Sequence, residues 1–503
     1  MTRRPGSPAL RRRRAPAART RIHDLLVIGA GPAGLRAAEL AARLGASVAL
    51  FEPRRLGGTS LNTGSVPSKA LIRSATLFAA LREVTRLQHP DGRDVPPADL
   101  QRIASRLRQI EARLLGYHSL ERLQRLGIDV YPEAARFVDA RTVAAGSARF
   151  QFRKAVVATG ARPTLPGIPG LAEGAYVTSE SIFALEQLPA RLAVVGGGPL
   201  GCELAQAFCR LGSEVTIIQD EAKFLPREER DAAQILAQSM ARDGVTIFLN
   251  TRVTGARVEG PLTTLETENY RTRRPVAAER VLVSVGREAN THGLDLAAAG
   301  IACAADGAIV VDAYLRTSNP RVYAAGDVCM PHMYTHVAQN TGQIAALNAL
   351  QNARQRHTDL TIPWCTFCVP EVAHVGLQVW EARELSIPIK TYTIMMQDVD
   401  RAITDRQENG FVKLHVAEGK DRILGATIVA SRASEMINEI CVAMHTGIGL
   451  RALARVVHTY PSQSAAIRLA ALSFEEVPDA TPAPLAVPPA SRRRGSRRTR
   501  KRP

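Results

Sequence analysis

One pattern occurs twice in this chain, and it constrains the fold more than anything else in the sequence. Residues 23–52 read HDLLVIGAGPAGLRAAELAARLGASVALFE, and residues 191–220 read RLAVVGGGPLGCELAQAFCRLGSEVTIIQD. In the first, Leu25–Ile28 reads as a buried strand, followed by Gly29, Gly31 and Gly34 as G-x-G-x-x-G. Ala37, Ala38, Ala41 and Ala42 are small enough for a helix to lie close on a sheet, and a second strand, Ser47–Phe51, ends in Glu52. Glycines at this spacing allow a tight turn and let a pyrophosphate reach the helix N-terminus. The carboxylate at the end of the second strand can accept hydrogen bonds from ribose hydroxyls. The glycines alone are a weak signal, whereas strand, helix, strand and acid in order are a strong one.

The second copy carries Gly196, Gly198 and Gly201, with Glu203 one turn into its helix. The position that matches Glu52, 23 residues past the first glycine, is Gln219. Without a carboxylate there, a 2′-phosphate is not repelled. Lys223 and Arg227 lie nearby in sequence, so the second site tilts towards NADP, although Asp220 is adjacent. Two such units imply two dinucleotides, or a cofactor and a co-substrate. Three further pieces bear on which. AVVATGARP (155–163) ends a strand in Thr159-Gly160, and VLVSVGREAN (281–290) repeats that form at Gly286-Arg287. RVYAAGDV (321–328) ends in Gly326-Asp327 ahead of a helix beginning THVAQNTG, where an acid can meet a flavin's ribityl and phosphate groups.

With 503 residues, 46% of them hydrophobic, the chain can hold roughly three domains with real cores. No apolar run reaches the roughly 18 residues that span a bilayer. The net charge of +18 suggests a nucleic-acid binder until it is located. Residues 1–22 hold eight arginines and no acid, and residues 478–503 hold eight Lys/Arg and one acid, which leaves only +3 between them. Both ends read as disordered basic tails, able to contact nucleic acid or acidic membrane weakly or simply to keep the chain soluble. The first tail lacks a signal-peptide core; its Arg-rich, acid-free composition also suits an organelle transit peptide. Seven cysteines without a secretory framework fit a reducing compartment, and a cytoplasmic location is expected. Cys365 and Cys368 have redox-pair spacing, but they lie in extended sequence without a helix N-terminus to lower a thiol pKa.

The order and content of these motifs, over residues 23–475, resemble the class I pyridine nucleotide–disulfide oxidoreductases, most closely their mercuric-reductase-like branch. The segments WCTFCVPEVAHVGL, DVDRAITDRQENGFVKLH and RILGATIVASRASEMINEI carry the latter likeness. The resemblance implies FAD in the first site, NAD(P)H as co-substrate in the second, and a homodimer. It places Gly29, Gly31, Gly34, Glu52, Gly58, Thr59, Lys69, Thr159, Gly160 and Asp327 around FAD. Gly196, Gly198, Gly201, Gln219 and Gly286 fall along the nicotinamide nucleotide, and Lys69 with Glu203 match an ion pair where hydride arrives.

The loop RRLGGTSLNTGSVPSKALIRSA (54–75) departs from that family. Its pattern is Gly-Gly-Thr-Cys-x-Asn-x-Gly-Cys-x-Pro-Ser-Lys, and both cysteines, which form the electron-relaying disulfide, are here Ser60 and Ser65. A hydroxyl cannot cycle through a stable disulfide-like bond. The family's C-terminal His and Glu correspond to Tyr460 and Ala465, with His458 two residues away; Tyr is common there in the mercuric-reductase-like branch. The expected fold is α/β: two Rossmann-like dinucleotide-binding domains plus a C-terminal α+β dimerisation domain. FAD is assigned to 23–155 and 291–355, NAD(P) to 156–290 and dimerisation to 360–475, between tails at 1–22 and 476–503. Residues 75–125 read as long helices. The expected activity is an FAD-dependent NAD(P)H oxidoreductase that reduces a small acceptor directly: a quinone, a dye, oxygen or a second nicotinamide nucleotide. Two alternatives stay open. One is a catalytically impaired FAD-binding scaffold with polyanion-binding tails. The other is a thiol-linked reductase that uses Cys365 and Cys368 or an external dithiol.

Overall fold

The computed structural model describes residues 22–89, 95–172, 174–270 and 272–475. Both expected tails lie outside these residues, apart from Ile22. The first strand runs Ile22–Ile28, three residues longer than its apolar core. It pairs in parallel with Val48–Phe51 on one side and with Ala148–Val157 on the other, and Ile128–Tyr131 extends the sheet beyond Val48–Phe51. Leu25–Ile28, Val48–Phe51 and Ala155–Val157 are covered on both faces, which is why these stretches are continuous apolar runs. The N-terminal half of Ala148–Val157 continues into an antiparallel meander with Thr142–Ala145 and Ala135–Asp139. Its C-terminal half is paired by Val322–Ala324, so the chain leaves this sheet and returns much later to fill the edge. The strand continues to Val157, two residues past the boundary expected at 155.

A second, wholly parallel sheet has the order Thr246–Phe248, Glu214–Ile218, Arg191–Val195, Arg280–Val283, Tyr176–Val177. The chain crosses between the two sheets twice, and the crossings pair as a short ribbon, Ala161–Pro163 with Arg287–Ala289. Both fingerprint helices, Pro32–Arg43 and Pro199–Leu211, begin with proline, whose fixed φ and missing N–H suit a first helical position. The excursion forms helices Ser65–Gln88 and Leu100–Leu115, the second capped by Asp99, whose side chain accepts from the Arg102 N–H. The helical run expected up to residue 125 is broken: a single tight turn at Gly116–His118 leads to Ser119, which caps a separate short helix, Leu120–Arg125. Helix Ser65–Gln88 packs along Pro199–Leu211, and that contact joins the two nucleotide-binding units.

The C-terminal unit is a five-stranded antiparallel sheet in the order Pro363–Thr366, Glu371–Gly376, Ile423–Ala430, Phe411–Ala417, Ile389–Met395. Helices Ala433–Thr446 and Ala465–Glu475 cover one face, burying Leu414, Ile428, Ile437 and Ile467 together. Val372, Phe411 and Val429 share a core with Phe208, Leu236 and Met240 of the second unit. Strand Pro363–Thr366 lies where all three units meet, packing on helix Pro199–Leu211 and hydrogen-bonding His336 Nε2 through the Pro363 carbonyl.

Candidate active site

The first fingerprint has two kinds of glycine. A Cβ on Gly29 would lie 2.4 Å from the Ala158 carbonyl oxygen, and one on Gly34 would lie 1.8 Å from the Gly29 carbonyl oxygen, so the packing itself excludes a side chain. Gly31 differs, because the nearest atom to a Cβ there is the Gly58 Cα, 3.9 Å away. A Cβ on Gly58, which has φ +58°, would lie 2.7 Å from the Gly31 Cα. The two glycines face each other as a narrow backbone cradle, which fits a pyrophosphate next to Thr59 in the short helix Gly58–Asn62. Glu52 has a structural task beyond the one expected of it. Its Oε2 accepts from the Ala30 N–H at 2.9 Å and its Oε1 from the Arg54 N–H at 2.9 Å. Each oxygen keeps a lone pair for a ribose hydroxyl.

Thr159 and Gly160 are locked onto Asn290, a residue to which the sequence reading gave no role. The Thr159 hydroxyl donates to the Asn290 carbonyl at 2.7 Å, and the Asn290 amide donates back to the Thr159 carbonyl at 3.0 Å. Asp327 occupies a single tight turn, with Arg287 Nε 4.0 Å away. Burial raises the Asp327 pKa, and Arg287 opposes the rise.

In the second fingerprint a Cβ on Gly196 would lie 2.3 Å from the Ser284 carbonyl oxygen, and one on Gly201 would lie 2.2 Å from the Gly196 carbonyl oxygen. Gly198 has no atom within 4 Å and opens outward as Gly31 does. Gly286, at φ +128°, turns the chain where its carbonyl accepts from the Thr164 N–H. Gln219 repeats half of what Glu52 does: its Oε1 accepts from the Gly197 N–H at 2.6 Å. Unlike Glu52, it can also offer a ligand a donor, its amide nitrogen. Arg227 sits within electrostatic reach of His332 and Tyr334, so its charge lies at the junction with the other units.

Lys69 and Glu203 meet as expected, with Nζ to Oε2 at 2.8 Å. Glu203 is buried, and its other oxygen accepts from the Phe367 N–H at 3.0 Å. Lys69 Nζ also stands 4.2 Å above the Phe367 ring. One ion pair thus ties together a helix from each nucleotide-binding unit and the C-terminal unit.

The departing loop has its own arrangement. Helix Ser65–Gln88 begins inside the loop, at Ser65, two residues before Pro67. Ser60 Oγ and Ser65 Oγ both hydrogen-bond the Thr335 hydroxyl, the latter at 3.1 Å. Tyr460 is exposed and donates to Asp400 Oδ2 at 2.8 Å, and Ala465 starts the last helix. His458 is held within its own chain by Glu439, Nε2 to Oε1 at 2.7 Å. Burial raises the pKa of both the Cys365 and the Cys368 thiol well above the ordinary value, and both are free cysteines. Glu228 carried no signal in the sequence. Its Oε1 accepts from Trp364 Nε1 at 2.9 Å, and its buried Oε2 has no hydrogen-bond partner among the described residues. Burial pushes its pKa up to about 7, against the Trp364 hydrogen bond and with help from Glu229.

Comparison with known proteins decides the family. The model of the pyridine nucleotide-disulphide oxidoreductases matches residues 23–342, and that of their dimerisation domain matches 362–471. The chain belongs to this family. A mercuric reductase of Staphylococcus aureus is 32% identical over 458 residues, spanning 90% of this chain and 83% of the relative. A dihydrolipoyl dehydrogenase of Chlamydia trachomatis is 32% identical, spanning 93% of this chain and 99% of the relative. Among solved structures, LpdA of Mycobacterium tuberculosis aligns with a TM-score of 0.82 at 29% identity, covering 90% of this chain and 99% of that one. The Cu(II) complex of RclA, an HOCl-induced flavoprotein disulfide reductase of Escherichia coli, aligns at 0.81 and 28% identity, covering 90% and 99%. Members of this family bind FAD and use NAD(P)H, and the dimerisation domain supports a homodimer. Among the described residues of this flavin-dependent oxidoreductase, no helix is long and apolar enough to cross a membrane.

Proposed function

We propose that this oxidoreductase takes hydride from NAD(P)H and passes electrons from reduced flavin straight to a small acceptor, such as a quinone, a dye, oxygen or a second nicotinamide nucleotide. The observation that carries this is the loop 54–75. Where a relay needs two sulfurs, two hydroxyls share a third one at Thr335. FAD, when bound, supplies the hydride acceptance and return. Gly29, Gly31, Gly34, Glu52, Gly58, Thr59, Thr159, Gly160 and Asp327 would hold it. Gly196, Gly198, Gly201, Gln219 and Gly286 would hold the nicotinamide nucleotide, with Lys69, fixed by Glu203, aligning the reacting rings. The intact Lys69–Glu203 pair favours an enzyme over a bare scaffold. The raised thiol pKa values at Cys365 and Cys368 speak against thiol chemistry there, because the thiolate is the reactive form. Mercury and disulfide reduction, the activities named for relatives, lack their sulfur relay in this loop.

Anaerobic titration with NADPH tests the reading. Uptake should stop at two electrons per flavin, with no long-wavelength thiolate-to-flavin charge-transfer band. Glutathione disulfide, lipoamide and Hg(II) should not turn over, while benzoquinone should restore the oxidised spectrum. The double variant Ser60→Cys/Ser65→Cys should gain the band yet reduce disulfides poorly, since Tyr460 and Ala465 do not rebuild a Glu-held acid–base His. Brisk disulfide or mercury reduction by the unaltered protein would overturn it.

A further inference from the structure

We propose that Thr335 joins Ser60 and Ser65 into a hydroxyl relay that delivers a proton to the electron acceptor. The proposal rests on the direct-transfer reading above. Each hydroxyl has one proton to donate and two lone pairs to accept with. In the series Ser60–Thr335–Ser65, two internal hydrogen bonds use two protons and leave one O–H at an end. Rotating the three hydroxyls reverses the series, so a proton taken up at one end is released at the other without any oxygen staying ionised.

The position of Thr335 frees its hydroxyl for this. It is the first residue of helix Thr335–Gln351 and has no preceding helical carbonyl to bond. Thr341 of the same helix shows the usual alternative, donating back to the Val337 and Ala338 carbonyls at 2.8 and 3.1 Å. The two ends of the series also differ. Ser65 is exposed, whereas Ser60 is partly buried in the short helix that carries Gly58, the glycine facing Gly31. The series therefore runs from the short helix that carries Gly58 to the first turn of the helix that carries Lys69, so its two ends belong to different parts of the site.

The chemistry that needs such a series is the two-electron reduction of a quinone-type carbonyl. A hydride from reduced flavin brings two electrons and one proton to the acceptor. A second proton, drawn from water along the three hydroxyls, completes the hydroquinone. A disulfide relay at this place could not make that delivery.

The test uses the FAD-loaded protein, photoreduced without pyridine nucleotide, then mixed anaerobically with benzoquinone, which needs protons, or ferricyanide, which takes electrons alone. In Thr335→Val the ratio of the quinone rate to the ferricyanide rate should fall by about 100-fold, the low end of what positioned proton transfer contributes. The proton inventory in mixed H2O and D2O, curved when several protons move together, should become linear. Thr335→Ser should restore both. Ser65→Ala, which removes one end of the series, should repeat the effect if Thr335→Val binds flavin poorly. Thermal unfolding of Ser60→Ala, Thr335→Val and their double variant should be non-additive, as for residues in direct contact. An unchanged rate ratio and an unchanged inventory in both Thr335→Val and Ser65→Ala would overturn the relay and leave direct transfer standing. Photoreduced flavin that neither acceptor reoxidises in the unaltered protein would overturn direct transfer, and the relay with it.

Discussion

Gly31 and Gly34 are three residues apart and should answer mutation in different ways. A side chain at Gly34 runs into the Gly29 carbonyl and breaks the turn, whereas one at Gly31 enters open space bounded by Gly58. Gly31→Val should therefore fold, with an unaltered far-UV spectrum, and purify colourless because the pyrophosphate has lost its place. Full flavin absorbance in that variant would remove Gly31 from the cofactor site. Glu228 supports a prediction of another kind. Folded, it keeps its proton up to about 7, while the unfolded chain releases it near 4.5. The folded state thus binds more protons over that window, and stability falls as pH rises through it, by on the order of 3 kcal/mol for a shift of this size. Glu228→Gln should flatten that part of the profile: the melting-temperature gap between variant and parent should widen in the variant's favour from pH 5 to 8. A constant gap would show that the carboxyl titrates normally. Nothing in PREERD suggested this, because burial is made by the finished fold, and even the hydrogen-bond partner Trp364 lies 136 residues further on.

At the scale of elements, the βαβ units were the most legible part, since glycine spacing and apolar runs are local properties of the chain. The helix break at Gly116 and the start at Ser65 were not, because each depends on a cap or turn that competes with an uninterrupted apolar period. Asn290 escaped notice for a related reason: its role comes from pairing with Thr159 across the two crossings between sheets. The strand Glu214–Ile218 ends where the sequence placed a nucleotide-selecting residue, and Gln219 is anchored there by the Gly197 N–H. Gln219→Glu can keep that bond while placing a negative charge beside a 2′-phosphate. It should shift preference from NADPH towards NADH by roughly 5- to 10-fold, about 1 kcal/mol of charge repulsion. The ratio of kcat/KM for the two nucleotides measures it, and an unchanged ratio would end the assignment.

For the molecule as a whole, the excess positive charge lies in residues 1–22 and 478–503, and the rest is nearly balanced. The full chain should bind heparin with a steep salt dependence, and a chain of residues 23–477 should elute early at both low and moderate ionic strength, with the same flavin content. Equal retention would put the affinity in the body. The order of the three units could be read from the sequence, but their docking could not, because it is made by side chains that only the finished fold brings together. Glu203 is the clearest case. Its two oxygens are held by residues 69 and 367, one long before it in the chain and one long after. A ribosome that has made only the two nucleotide-binding units has supplied the lysine but not the Phe367 amide, so that carboxylate still needs water. The setting of that carboxylate is therefore completed only once synthesis has passed strand Pro363–Thr366 and reached Phe367.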